Sequence, residues 1–257
     1  AMSKGRYICF LDSDDYWHKD KLKKVLAFFQ KYPSVGLVQH YLLDVNAQKE
    51  SLNNPLPAWP DTCTLEDFLK ANIPYAATSG LTLTREVASK VLPIPKQHFC
   101  FTDNYISTRA LFSAPMGNIR EVLGYHRVHG NNFWAAKLSS PALIEGELKE
   151  REFFSSELLS WLKEAGKELS PRYLEVENLE ILRRRILLAS YQGKRRQAFV
   201  YWKEGVSSYW KSGLGRFRIL SCLLALVSPH LYIFFYNLYK THHWIVRYRH
   251  KLFPEMK

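Results

Sequence analysis

An acidic cluster near the start of the chain is the clearest candidate for chemistry. Asp12, Asp14 and Asp15 lie within four consecutive positions and directly follow the apolar run of residues 7–11. Carboxylates this close together raise one another's pKa unless a cation or a row of backbone N–H groups stabilises their charge. The spacing therefore predicts a positively charged partner for these aspartates.

Four arrangements could use such a cluster. An Asx turn that ends a strand and caps the next helix needs only one of the three carboxylates. An EF-hand loop requires Gly at its sixth position and Glu at its twelfth, where the chain has Trp17 and Lys23, so it is excluded. An aspartyl-phosphate phosphatase uses its first aspartate as a nucleophile but needs a second acidic cluster downstream, for which the sequence offers no good candidate. The remaining arrangement is Mn²⁺ or Mg²⁺ held by one or two carboxylates and completed by substrate phosphates and water.

The elements around the cluster follow an α/β pattern. Residues 7–11 are continuously apolar, which is typical of a central parallel strand covered on both faces. A helix is predicted from Asp20 to the position before Pro33. Further predicted elements are a strand near residues 35–43, a helix at 65–71, a strand at 81–84 and a helix at 86–92. The aspartates then stand at the carboxyl end of a strand, where open α/β sheets bind their ligands.

The composition changes in the second half of the chain. Residues 141–213 have the pattern of helices with charged faces, and Ser170 followed by Pro171 predicts a helix start. We therefore predict a domain of residues 1–137 followed by a helical region of residues 138–257. Two basic clusters, at residues 183–185 and 194–196, are interpreted as solvated helix faces rather than as phosphate contacts.

The overall charge favours an anionic partner. The 257-residue chain has a formal charge of +12, which suits an acidic membrane surface, a phosphorylated substrate or nucleic acid. Nucleic acid is disfavoured because the aromatic residues fall in apolar helices and no binding motif is recognised. The four cysteines are far apart, so neither a zinc site nor a disulfide framework is predicted, and a reducing cytoplasm is the simplest interpretation.

An apolar stretch at residues 219–239 precedes a basic and aromatic tail. Ser228 and Pro229 divide the stretch into two halves that are each too short to span a bilayer. The composition of the tail suits the headgroup layer of an anionic leaflet. We predict docking on the membrane surface without a spanning helix, and the alternative is a pair of helices packed on the protein's own core.

Four segments of the sequence carry a recognisable pattern, and they occur in the order GRYICFLDSDDYWHKDKL, TSGLTLTREVASKVLPIP, FTDNYISTRALF and GYHRVHGNN. They resemble, in the same order, segments of family 2 glycosyltransferases, the inverting nucleotide-sugar enzymes of the GT-A fold, and the first is similar to the D-x-D segment of that family. The resemblance covers about residues 1–135. It implies an α/β fold with a partial GT-A, Rossmann-like sheet, followed by a helical C-terminal region.

The resemblance also implies a metal site and a catalytic base. Asp12, Asp14 and Asp15 would bind Mn²⁺ or Mg²⁺, and Asp103 would accept the proton of the acceptor hydroxyl. This chain has Thr102 where the family often has a second acid, and Asp61 or Glu66 would be the next residues to test as the base.

The resemblance implies further contacts to substrate. Arg127, His129 and Asn132 match the family's Arg-x-His-Gly-x-Asn signature and are candidates for binding phosphate or substrate, with His129 also a possible metal ligand. Trp17 and Trp134 are candidates for stacking on a sugar or lining the acceptor cleft, and packing in the core is an equally good interpretation of each.

The implied function is metal-dependent transfer of a sugar, with inversion, from a nucleotide-sugar donor to a cell-surface glycan or lipid-linked glycan acceptor. The protein is expected in the cytoplasm, bound peripherally to the inner face of a bacterial membrane. No nucleic-acid partner is expected. The alternative is a non-catalytic remnant or interaction module that retains the motifs.

Family members usually begin with a region that binds the nucleotide, and no segment of this chain corresponds to it. We therefore expect a fragment that does not transfer sugar by itself. The strand of residues 7–11 would lack its parallel neighbours, and self-association through the exposed edge is expected.

Overall fold

The computed structural model describes residues 3–52, 56–71, 74–98, 101–129 and 140–241. The chain divides into two compact units. The first contains residues 1–132 and 156–169, and the second contains residues 133–155 and 170–257. The boundary predicted near residue 138 falls outside the described residues and stays a prediction. The predicted α/β class is confirmed, because a mixed sheet with its helices is followed by a helical C-terminal region.

The described part of the first unit contains a sheet of six strands in the order β1-β5-β3-β6-β2, with β4 also paired to β6. β3 and β6 are parallel, and the other pairs are antiparallel. The strands are β1 (Tyr7–Cys9), β2 (Tyr16–Trp17), β3 (Leu37–Val45), β4 (Thr62–Cys63), β5 (Leu81–Thr84) and β6 (Met116–Arg127).

The first strand differs from its prediction. β1 ends at Cys9, pairs antiparallel with β5 and, within the described residues, lies at one end of the sheet. Its side chains are only half-buried, and Leu11 beyond it is exposed. A central parallel position was therefore wrong for this strand in the described structure. A short apolar run indicates that a strand is hydrophobic, but it does not show which strands lie beside it.

The helices of the first unit cover the sheet. They are α1 (Lys21–Lys31), α2 (Leu65–Ala71), α3 (Arg85–Val91) and α4 (Thr102–Leu111). On α1, the apolar side chains of Val25 and Phe29 pack into a core with Val38 of β3 and Leu123 of β6. Burial of these side chains fixes α1, and with it the turn that precedes it, against the two longest strands.

Three strands point the same way and place their carboxyl ends at one edge. β1 is antiparallel to β5, β5 is antiparallel to β3, and β3 is parallel to β6, so β1, β3 and β6 run in the same direction. Chain segments that follow these strands therefore come together. Asp12 follows β1, Asp44 is near the end of β3, and Arg127 ends β6.

The remaining helices are α5 (Pro141–Glu164), α6 (Pro171–Tyr191), α7 (Arg195–Tyr209), α8 (Gly213–Val227) and α9 (Pro229–Thr241). The predicted start at Ser170 is confirmed, since its hydroxyl accepts the N–H of Tyr173 at 3.1 Å. The predicted division near Ser228 is also confirmed, because α8 ends before it and α9 begins with Pro229.

One of the basic clusters lies inside the second unit. Arg183 and Arg184 are buried, and each donates to the Glu180 carboxylate at 2.6 Å. Arg184 also donates to Glu147, a fully buried residue of α5, at 2.9 Å. The prediction of a solvated face was wrong for these two arginines, because both are buried and acidic partners compensate their charge, Glu180 on the same helix and, for Arg184, Glu147 on α5. Residues 194–196 are exposed.

Candidate functional site

The acidic cluster forms a tight turn after β1. The N–H of Asp15 donates to the carbonyl of Asp12 at 3.2 Å, which closes the turn. The N–H of Asp12 donates to the hydroxyl of Ser79 at 3.0 Å. Ser79 is fully buried in a 3₁₀ turn, Thr78–Gly80, directly before β5. The turn is therefore anchored to the strand that neighbours β1.

Asp15 is the most buried carboxylate of the cluster. The residue is 8% exposed, and its Oδ1 accepts the backbone N–H of Arg127 at 3.0 Å. Its Oδ2 is buried and has no hydrogen-bond partner among the described residues. A buried ionised oxygen without a partner costs free energy. The site therefore has an incompletely satisfied negative charge.

His129 brings the segment after β6 to the same turn. Its Nε2 lies 3.1 Å from Oδ2 of Asp14, and both side chains are partly exposed. The Arg127 guanidinium lies over the ring of Tyr16, 6.0 Å from the centroid. The structure thus brings together five of the predicted site residues: Asp12, Asp14, Asp15, Arg127 and His129. Asn132 and Trp134 lie outside the described residues.

The electrostatics of the turn favour a bound cation. Burial raises the pKa of Asp12, and the charges of Asp15 and then Asp14 raise it further. Among the described residues, however, no three His, Cys, Asp or Glu side chains are arranged as a complete ligand set for a metal ion. The described residues therefore supply only part of a coordination shell for a cation at this turn.

Trp17 is packed beside the turn. Its indole N–H donates to the carbonyl of Ser79 at 3.0 Å, and the Lys21 ammonium lies 3.6 Å from the ring centroid. Lys21 is fully buried and donates to the same carbonyl at 3.1 Å. Burial lowers the pKa of Lys21 to about 8. One face of the Trp17 ring is therefore occupied by the protein itself, and stacking on a sugar stays a prediction.

A second polar pair lies at the same sheet edge. Asp44 and His126 are register partners on the parallel strands β3 and β6, and His126 Nδ1 lies 2.9 Å from Asp44 Oδ1. The hydrogen bond to Asp44 raises the pKa of His126, and the charges of Asp15 and Asp14 add to this effect. The sequence analysis missed this pair because it depends on strand register.

Comparison with known proteins agrees with this geometry. Residues 1–92 match the family model described as Glycosyl transferase family 2. An uncharacterized glycosyltransferase of Nostoc sp. is 30% identical over 139 residues, which are 51% of this chain and 42% of that protein. The amylovoran biosynthesis glycosyltransferase AmsB of Erwinia amylovora is 31% identical over 94 residues, 35% of this chain and 31% of that protein.

Residues 1–92 are a glycosyltransferase family 2 segment. This match confirms the resemblance to family 2 glycosyltransferases that the acidic cluster and its flanking segments predicted. The matched parts amount to less than half the length of these two relatives. The comparisons therefore do not establish the activity, substrates or partners of this chain.

The predicted catalytic base lies on a helix of the first unit. Asp103 is in the first turn of α4 and is half-buried. Its Oδ1 accepts the N–H of Asn104 at 2.8 Å. The catalytic role of Asp103 stays a prediction.

Two residues that position the acidic turn were not predicted from the sequence. Ser79 and Lys21 hold the turn and Trp17 in place, as described above. Ser79 lies in the TSGLTLT segment that carried part of the resemblance, so its position was a weak signal. Lys21 was hidden among the several lysines of α1, and only its burial sets it apart.

Proposed function

We propose that this chain is the acceptor-side and catalytic part of an inverting glycosyltransferase, which transfers a sugar from a nucleotide-sugar donor to a glycan acceptor. The observation that carries the proposal is the buried Asp15 carboxylate, whose Oδ2 has no partner among the described residues, in a turn with Asp12 and Asp14. The family match and the name of the Erwinia relative, which refers to biosynthesis of amylovoran, support this class of reaction.

The residues of the turn fit Mn²⁺ or Mg²⁺. Mg²⁺ is commonly bound through one or two carboxylates, while substrate phosphates and water complete its coordination. This pattern agrees with a cluster that has uncompensated charge but no complete ligand set among the described residues. Asp14 and Asp15 would hold the cation, with Asp12 beside them. When bound, the cation neutralises negative charge on the leaving diphosphate.

The protein's own groups would perform the remaining tasks. Asp103 would accept the proton of the acceptor hydroxyl as that oxygen attacks the anomeric carbon from the side opposite the diphosphate. His129 would donate a hydrogen bond to a phosphate oxygen, and its contact with Asp14 orients the ring. Arg127 would add positive charge beside the diphosphate, while its backbone N–H orients Asp15.

Calorimetric titration of Mn²⁺ in the presence of UDP, GDP or dTDP tests this assignment. Asp14→Asn should weaken Mn²⁺ binding about tenfold or more, because one of the few protein ligands loses its charge. Asp20→Asn is the matched control, since Asp20 precedes α1 without making a side-chain capping bond. Equal binding by wild type and Asp14→Asn would overturn the site assignment. Absence of binding by the wild type would favour the non-catalytic remnant. Lack of transfer by residues 1–257 alone stays a prediction.

The second unit has an exposed apolar face on α8 and α9. Large apolar side chains project from both helices into solvent, among them Val227 at 73% and Phe234 at 62% exposure, together with Leu220, Leu223, Leu231 and Phe235. Other side chains of the same helices, such as Ile219, Cys222 and Tyr232, are buried in the unit's core. No helix in the described ranges is long and apolar enough to cross a bilayer.

We propose that this face docks on an anionic membrane surface, peripheral to the cytoplasmic side. Residues 213–241 contain no Asp or Glu, and Arg and Lys residues both accompany and follow the apolar positions. Apolar side chains together with basic residues favour binding at the headgroup layer of anionic lipids. Because the residues of this face are basic as well as apolar, an anionic membrane matches the face better than a neutral protein partner does.

Sedimentation with vesicles of phosphatidylcholine, with and without phosphatidylglycerol, tests membrane docking. The protein should bind the anionic vesicles and dissociate as salt rises. Substituting Val227→Glu and Phe234→Glu together should abolish binding, whereas Val200→Glu, at a comparably exposed position on α7, should not. Unchanged binding by the double variant would refute the proposed face.

A further inference from the structure

A small pocket opens beside the Asp44–His126 pair. Its volume is about 180 Å³, and its lining includes three aromatic side chains, the polar pair and one loop proline: Tyr41, Trp59, Tyr75, Asp44, His126 and Pro57. We call it the Trp59 pocket. All of its lining residues belong to the first unit. Nothing in the mechanism proposed above uses this pocket.

The aromatic wall of the pocket is held in a fixed position. The rings of Tyr41 and Trp59 pack with their centroids 4.7 Å apart. The Tyr41 hydroxyl donates to the carbonyl of Pro57 at 2.7 Å, and the Trp59 indole N–H donates to the carbonyl of Pro74 at 2.9 Å. These bonds secure the loop that forms one side of the pocket. A wall of this kind is preorganised, so binding would order few side chains.

The polar side of the pocket remains accessible. The side chains of Asp44 and His126 are 30% and 27% exposed, although they are hydrogen-bonded to each other. A carboxylate has about four lone-pair positions, so Asp44 can accept from hydroxyl groups in addition to His126. The pocket therefore combines an apolar wall with a charged acceptor on the opposite side.

The lining disfavours a diphosphate as the ligand. No Lys or Arg is among the described residues that line the pocket, and Asp44 would repel an anion. Its volume equals that of about six waters in the liquid, which suits one monosaccharide ring better than a nucleoside with both base and ribose. A pyranose has apolar C–H faces and a rim of hydroxyls, which match the two sides of the pocket.

The pocket also lies near the acidic turn. His126 and Asp12 are close enough to interact electrostatically, and His126 immediately precedes Arg127, whose N–H binds Asp15. A sugar held by His126 would therefore be next to the place assigned to the leaving diphosphate. An acceptor sugar needs this position, because its hydroxyl must come within reach of the anomeric carbon.

We propose that the Trp59 pocket binds the terminal sugar of the glycan acceptor, a neutral pyranose whose hydroxyls bond to Asp44 and His126. The inference rests on the function proposed above and adds a subsite for the acceptor. Asp44 and His126 bind and orient this sugar, while the catalytic base is a separate group.

Saturation-transfer NMR on the full chain tests the pocket without requiring turnover. The probes are the methyl α-glycosides of glucose, galactose and mannose, with uridine for comparison. At least one glycoside should receive saturation, and Asp44→Asn should weaken its binding about tenfold through loss of a charge-assisted hydrogen bond. Glu121→Gln is the control, because Glu121 is exposed and pairs with Lys24 outside the pocket.

A second variant keeps the test independent of Asp44. Ala77→Phe would fill the pocket without changing its charge, and it should also abolish glycoside binding. Lack of binding by every glycoside, no effect of either variant, or preference for uridine would overturn the proposal. Calorimetry with Mn²⁺ and UDP separates the two proposals. If diphosphate binds but no glycoside does, only the pocket fails, and if glycoside binds but no diphosphate does, the proposed function fails.

Discussion

Two substitutions of Asp15 separate its structural role from its role in cation binding. Asp15→Ala removes the acceptor of the Arg127 N–H, a 3.0 Å bond that joins the acidic turn to the end of β6. Hydrogen bonds to charged groups contribute about 1.5–3 kcal/mol, so we expect the free energy of unfolding to fall by about 2 kcal/mol. Asp15→Asn keeps an oxygen at the Oδ1 position and removes the unsatisfied charge. The lost charge and the two amide N–H groups at the buried Oδ2 position have opposite effects, so its unfolding free energy should change less than that of Asp15→Ala.

The assay is urea denaturation of both variants, with amide hydrogen exchange of Arg127 as a local probe. Asp15→Ala should lower the midpoint at unchanged m-value and speed exchange of the Arg127 amide. Both variants should lose Mn²⁺ binding in the presence of UDP. If Asp15→Ala is as stable as the wild type, or if Asp15→Asn still binds Mn²⁺ normally, the reasoning about this carboxylate is wrong.

Four further predictions follow from individual features. Asp103→Asn in a complete enzyme should reduce kcat about a hundredfold or more with donor affinity nearly unchanged, and normal turnover would assign the base to another residue. Gly117→Ala should lower the unfolding free energy by about 1–3 kcal/mol in urea denaturation, because the new Cβ would overlap the ring of Phe28. The Asp44–His126 pair should stabilise the folded protein fully below pH about 6.5, and this contribution should be lost as pH rises through the raised pKa of His126. NMR titration should show that Asp44→Asn lowers the pKa of His126. Among the described residues β1 pairs on one side only, so sedimentation velocity should show association that increases with concentration, whereas a constant monomer value would contradict it.

The sequence predicted the acidic turn because its signal is local. An apolar run followed at once by Asp12, Asp14 and Asp15 needs no knowledge of distant residues to suggest a charged site. The start of α6 at Ser170 and the division before Pro229 were predictable for the same reason, since capping and helix-breaking depend on a few neighbouring residues.

The longest strand was not predicted, although it organises the site. β6 includes the sequence GNIREVLG, in which charged residues and glycines interrupt any alternation of apolar and polar positions. Gly124 within it is needed for close packing, because a Cβ there would lie 2.7 Å from the Leu42 side chain. The pairing of β6 with β3 then sets Asp44 opposite His126. Such register depends on contacts between segments far apart in the chain.

Burial of charged residues was equally invisible in the sequence. Arg183 and Arg184 belong to a basic run that is typical of a solvated helix face. Glu147, a partner of Arg184, is 37 positions away from it, on another helix. Only tertiary packing shows that these charges form an internal ion-pair network.

Paramagnetic broadening by Mn²⁺ tests the central claim, that the turn of Asp12, Asp14 and Asp15 holds a cation together with a nucleoside diphosphate. Backbone amide spectra of the isotope-labelled chain would be recorded with UDP while substoichiometric Mn²⁺ is added. The amides of residues 12–15 and 127–129 should broaden first, and Asp14→Asn should remove this effect. Broadening centred on another part of the chain, or the same pattern in the Asp14→Asn variant, would contradict this claim.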